Sequence, residues 1–220
     1  VYFSDVKKSA KDYAKGFGRM VYSFEAKKSF KFFLAETKPD IIYVLYYQNK
    51  ISCSIIDAAY EMNIPVVQRI SDYSLLAPCD HLYNSEKRCI CEKCLQSGLK
   101  NAVLDRCVYK SRFFSIVKSL SLVVQNKRKI KDKVSAYIFP STFTLRKFAE
   151  NGFDENKLIH VPTPFNQNTI NKDLTIEYQP FALYVGRIDP DKGIETMLDA
   201  FVDSGMPLKI IGFSSIDRYE

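Results

Sequence analysis

Apolar runs and amphipathic stretches alternate along most of this chain. Tyr22, Phe24, Phe30, Phe33 and Leu34 recur at helical spacing over residues about 22–37, and Pro39-Asp40 breaks the pattern. Ile41 to Tyr47 is continuously apolar and reads as a strand, Ser54 to Met62 as a helix and Pro65 to Arg69 as a second strand. Beyond a Cys-rich stretch, Ala136 to Phe139 reads as a strand and Thr142 to Glu150 as a helix stopped by Gly152. Leu158 to Val161 then reads as a strand closed by Pro162 and Pro164. Such punctuation predicts an α/β fold, a Rossmann-like doubly wound parallel sheet over residues 1–165 with a Cys-rich insert at about 75–110. The polar, Asn-rich stretch 166–179 reads as a linker, and a second Rossmann-like domain begins over 180–220.

The second domain opens on the most informative turn. Phe181 to Val185 are all apolar, as a strand buried on both faces of a parallel sheet requires, and Ile194, Met197, Leu198 and Phe201 follow at helical spacing. Between them Gly186 permits close backbone approach and Pro190 stiffens the bend. Arg187 and Lys192 put two cations beside a helix N-terminus whose unpaired N–H groups favour a phosphate. A merely solvated basic turn is the competing reading.

The string G-R-x-x-P-x-K-G followed by I-E-T-x-x-x-A-F closely resembles the start of the second domain of GT-B glycosyltransferases of family four, retaining enzymes that use activated sugar donors. The resemblance implies that Gly186, Arg187 and Lys192 contact the diphosphate of a nucleotide-sugar donor. It extends over most of the chain from about Lys38. Lys38-Pro39-Asp40, Pro65-Val66-Val67 with Ser71-Asp72-Tyr73, Pro140-Ser141 with Phe143 and Leu145, and Val161-Pro162-Thr163-Pro164 all match family segments in register. It implies a transferase acting on a saccharide or lipid-linked acceptor in polysaccharide or glycoconjugate synthesis. It further implies retention of anomeric configuration and no metal or other cofactor for catalysis.

This chain carries Ser71 where family members often have His, and Thr163 where they have Asn. Asp72 is the candidate catalytic residue, able to orient an acceptor hydroxyl, with an Asx turn or helix cap as the alternative. Ser71, Ser141 and Thr163 are assigned to the cleft lining, and helix capping is the alternative for Ser141. The chain opens without the family's first apolar strand and Gly-rich loop and stops at Glu220, before the family's E-x7-E motif. A fragment, inactive alone, is therefore expected.

Charge is unevenly shared. Residues 1–134 hold 24 Lys+Arg against 13 Asp+Glu, and residues 135–220 hold 8 against 12. Lys100 to Lys133 alone carries ten basic residues against Asp105 and Asp132. A solvated helix face, an anionic membrane surface met by Phe113, Phe114, Ile116, Val117 and Leu120 among the cations, and nucleic acid compete for this segment. No RNP-type, KH-type or helix-turn-helix signature supports nucleic acid. No apolar run approaches bilayer-spanning length and no signal peptide is evident, so a cytoplasmic protein is expected, peripheral to the inner membrane face at most.

Six cysteines form the other constellation. Cys91-x-x-Cys94 is a chelate pair, with Cys79 and Cys107 lying 12 and 13 residues away on either side and Cys89 as an alternative. A structural zinc, reduced thiols and disulfides are the three readings. His81 and His160 read as ordinary surface or loop residues. A non-catalytic, zinc-stapled module that binds a partner or polyanion is the alternative to a transferase.

Overall fold

The computed structural model describes residues 10–48, 51–84, 87, 89–166, 179–189 and 192–213. The linker read at 166–179 falls almost wholly outside them. Contacts divide the chain into two units, Val1–Leu82 with Cys91–Thr163, and Tyr83–Ile90 with Pro164–Glu220.

The chain forms α1 (Ala10–Val21), α2 (Phe24–Thr37), β1 (Ile42–Val44), α3 (Ser54–Glu61) and β2 (Val66–Arg69). A short antiparallel pair, β3 (Tyr83–Asn84) and β4 (Cys89–Ile90), follows. Next come α4 (Lys93–Ser97), α5 (Lys100–Leu104), α6 (Arg112–Lys127), α7 (Ile130–Lys133), β5 (Ala136–Phe139), α8 (Thr142–Glu150) and β6 (Leu158–His160). The second unit adds β7 (Ala182–Val185), α9 (Ile194–Ser204) and β8 (Leu208–Ile211).

The first unit is built on a parallel four-stranded sheet in the order β1-β2-β5-β6, with Tyr43 opposite Val67, Gln68 opposite Tyr137, and Ile138 opposite Ile159. The mixed α/β class read from the alternation is the one observed. The described strands follow chain order, so the reversal that makes a sheet doubly wound is not among them.

Local chemistry sets the boundaries. Ser23 caps α2 by accepting the Ala26 amide at 3.1 Å, and Lys38 ends it in the left-handed region, φ 43°, just before Pro39. The strand read over Ile41 to Tyr47 shortens to Ile42–Val44 because the chain turns after it: the Tyr47 carbonyl accepts the amides of Ile51 and Ser52. Ile41, Tyr43 and Leu45 stay half or more exposed.

The core lies between sheet and helices, where Leu34, Val44, Ile56, Val66, Tyr137, Phe139 and Phe148 are buried. Phe139, Phe148 and Phe153 meet edge to face, with successive centroids 5.1 and 4.9 Å apart. Two polar devices are enclosed with them. The Tyr47 hydroxyl donates to Gln125 Oε1 at 2.7 Å. Asp57 on α3, 1% exposed, accepts from the Tyr22 hydroxyl at 2.7 Å, from Arg128 Nη1 at 2.8 Å and from Lys133. Burial and the Asp57 carboxylate push the Tyr22 phenol well above its ordinary pKa.

In the second unit β7 and β8 run parallel, with Tyr184 opposite Ile210, and α9 connects them. The strand was read as buried on both faces, yet Leu183 and Val185 are 53% and 68% exposed. Each face of a strand needs a covering layer; Ile194 at the start of α9 is buried, and among the described residues nothing covers those two side chains.

Candidate functional site

Parallel strands collect their carboxyl ends on one edge of the sheet, and the chain leaving those ends is where open α/β sheets bind ligands. In the first unit that edge gathers four of the residues singled out from sequence. β2 ends at Arg69 and runs on through Ile70, whose amide donates to the Ile138 carbonyl at 2.8 Å, into exposed Ser71 and half-buried Asp72. Ser141 follows β5 and Thr163 follows β6. A shallow crevice here is lined by Leu45, Tyr46, Gln68, Arg69, Ser71 and Asp72, among others.

Asp72 Oδ1 accepts the Ser74 amide at 2.9 Å, an Asx turn that directs the chain into the insert. One carboxylate oxygen therefore serves the local fold. Ser141 occupies the N-cap position of α8, but its hydroxyl makes no capping bond; the carbonyl accepts the Leu145 amide at 3.1 Å. Thr163 Oγ1 accepts from Arg69 Nη2 at 3.3 Å, tying the end of β2 to the segment beyond β6. Arg69 was not singled out from the sequence. Its signal was a cation at the last position of β2, separated from Ser71-Asp72 by Ile70 alone.

The second unit holds further candidates of its own. β7 leads into Gly186, whose amide donates to the Ile211 carbonyl at 3.0 Å, and Ile188 donates likewise to Phe213, so strand pairing outlasts the strand. The two backbones come so close that a Cβ on Gly212 would lie 1.8 Å from the Gly186 carbonyl oxygen. A Cβ on Gly186 would lie 2.9 Å from the Tyr184 hydroxyl, which donates to the Arg187 carbonyl at 2.8 Å. Gly212 needs glycine because backbone stands in the way, whereas at Gly186 the obstacle is the end of the Tyr184 side chain.

Arg187 Nη1 pairs with Asp189 Oδ2 at 2.9 Å, with the Asp189 side chain buried and the Arg187 side chain 44% exposed. The Lys192 amide donates to the Asp189 carbonyl at 3.0 Å, and Gly193, φ 68°, leads into α9. Asp189 thus holds Arg187 by its side chain and the Lys192 backbone by its carbonyl. The sequence reading passed over Asp189, because an acid between two cations in a turn looks solvated until its burial is known. The bend residues 190–191, Pro190 included, lie outside the described ones.

In the insert, Cys79, Cys94 and Cys107 share one small apolar cluster with Ala77, Leu82 and Ala102, and the Cys91 amide donates to the Leu82 carbonyl at 2.8 Å. Cys79, Cys91, Cys94 and Cys107 all lie within electrostatic reach of one another; burial first, and these neighbours second, push Cys79, Cys94 and Cys107 up to about 11. Cys89 is exposed. All six thiols are free, and among the described residues no group of three or more His, Cys, Asp or Glu is already arranged as metal ligands. His81 and His160 are exposed.

No family model matches this chain, and no curated protein matches it. Among solved structures it aligns with UDP-GlcNAc 2-epimerase from Methanocaldococcus jannaschii, over 97% of this chain and 50% of that one, at 12% identity and a TM-score of 0.39. The chain spans about half the length of that protein.

Proposed function

We propose that this chain belongs to a sugar-nucleotide-dependent glycosyltransferase of the family-four kind, and that the β7–α9 turn receives the donor's diphosphate. The observation that carries this reading is Arg187, paired with buried Asp189 at 2.9 Å, its own side chain partly exposed at the carboxyl end of a parallel strand. The ion pair with Asp189 holds the Arg187 side chain at the end of the strand, and a guanidinium, with its planar fork of N–H donors, suits the oxygens of a phosphate. Lys192 adds a second cation just before α9.

In this reading the two cations stabilise charge growing on the departing diphosphate as the anomeric C–O bond breaks. Such a contribution is larger in the transition state than in the ground state and therefore raises turnover. Asp72 orients the acceptor hydroxyl through the carboxylate oxygen not engaged by Ser74. Ser71, Ser141 and Thr163 line the acceptor side, with Arg69 positioning Thr163. The acceptor is a saccharide or a lipid-linked saccharide. Cys79, Cys91, Cys94 and Cys107 are the ligands of a structural zinc that staples the insert and takes no part in transfer; four thiolates are a ligand set that suits zinc.

Titration calorimetry of the chain with UDP and GDP tests the proposal. Saturable, exothermic binding of a nucleoside diphosphate, competed by the corresponding nucleotide sugar, is the expected result. No heat from either nucleotide contradicts it.

A further inference from the structure

We propose that the solvent face of α6 is a docking surface for an anionic lipid bilayer. A surface helix ordinarily turns its apolar stripe inward and its polar stripe outward. Along α6, Ser115, Val117, Lys118, Leu122 and Gln125 are buried, whereas Phe113, Ile116, Leu120 and Val123 are 49%, 49%, 48% and 37% exposed. Ile116, Leu120 and Val123 recur at helical spacing and form an outward stripe, bordered by Phe113, whose half-exposed ring also packs edge to face on Phe17 of α1 at 4.4 Å between centroids. Just before the helix, Tyr109, 73% exposed, sets its ring against Phe114 at 5.4 Å between centroids, widening the apolar face at its amino-terminal end.

The charges around the stripe identify its occupant. α6 contains no Asp or Glu, and exposed Arg112 and Lys127 stand at its two ends, with exposed Arg106 and Lys110 before it. Other cations of the segment are already engaged internally: Lys118 lies 3.7 Å from Asp80, and Arg128 and Lys133 meet Asp57. Asp105 is paired with Lys93 at 3.2 Å. The outward face is thus apolar with a cationic rim, the arrangement of a helix that lies in the bilayer interface and meets anionic headgroups. A second copy of the chain fits worse. A two-fold contact along α6 would bring the Arg112 and Lys127 ends of one copy against the Lys127 and Arg112 ends of the other, with no acid on either helix to pair them. Among the described residues no helix is long and apolar enough to cross a membrane. The inference stands independently of the sugar-nucleotide reading.

Sedimentation of the chain with phosphatidylcholine vesicles, with and without phosphatidylglycerol, tests it. The chain should sediment only with the anionic vesicles. Arg112→Gln and Lys127→Gln should each weaken the association about fivefold, and the double variant Ile116→Ser/Leu120→Ser should abolish it while circular dichroism and the thermal melt stay unchanged. Absence of sedimentation with either vesicle, equal recovery with both, or full binding by the Ile116→Ser/Leu120→Ser variant would overturn the proposal. So would a concentration-dependent dimer in light scattering that this variant dissolves, with no vesicle binding.

Discussion

Arg128 donates from Nη1 to Asp57 Oδ2 at 2.8 Å, joining residues 71 positions apart, and its guanidinium also lies over the Tyr22 ring at 3.9 Å. Asp57 thereby links the entry of α2, the middle of α3 and the segment around α7. Asp57→Ala leaves Arg128 and Lys133 without their shared carboxylate, but their side chains are 37% and 23% exposed and water reaches both, so the cost of about 3–5 kcal/mol for a fully buried ionic group falls to about 2 kcal/mol. Urea denaturation should show a loss of about that size, with Tyr22→Phe losing only about 1 kcal/mol, the net worth of one hydrogen bond. A loss below about 1 kcal/mol for Asp57→Ala would show that the network contributes little.

Gly212→Ala tests how the second unit is assembled. The added carbon would lie 1.8 Å from the Gly186 carbonyl, so β7 and β8 must separate beyond their ends. Backbone rather than a flexible side chain stands in the way, so the cost is at or above the roughly 1–3 kcal/mol of ordinary overpacking. Hydrogen exchange at the Gly186 and Ile188 amides, which donate to Ile211 and Phe213, should speed up first. Unchanged protection there would mean that the close approach is not required.

For the insert, elemental analysis after purification without added metal should find about one zinc per chain. Cys94→Ser should lose the metal and lower the melting temperature, while exposed Cys89→Ser should leave both unchanged. Less than a few tenths of an equivalent in the unaltered chain would show that the four thiols are simply reduced.

Much of this fold was legible because it rests on local pattern. Ala136 to Phe139 and Thr142 to Glu150 lie where apolar runs and the stop at Gly152 put them, and the parallel sheet follows from their alternation. The α6 segment was legible as a helix face, but not which side it exposes: Phe113, Ile116, Leu120 and Val123 are exposed while Val117, read with the membrane-facing residues, is buried with Leu122, so apolar residues surround the helix and no single stripe marks its outer side. In contrast, the Arg69 bond to Thr163 spans 94 positions, and the hold of Asp189 on Arg187 depends on burial. Neither relation leaves a periodic trace in the chain.

The central claim is that Arg187 and Lys192 bind a nucleoside diphosphate. Titration calorimetry of the unaltered chain, Arg187→Ala and Lys192→Ala with UDP and GDP tests it most directly, with circular dichroism to confirm that each variant is folded. Loss of a charge-assisted contact is worth about 1.5–3 kcal/mol, so each variant should bind about tenfold to a hundredfold more weakly than the unaltered chain. Binding of the same strength in all three proteins, or no binding in any, would contradict the account.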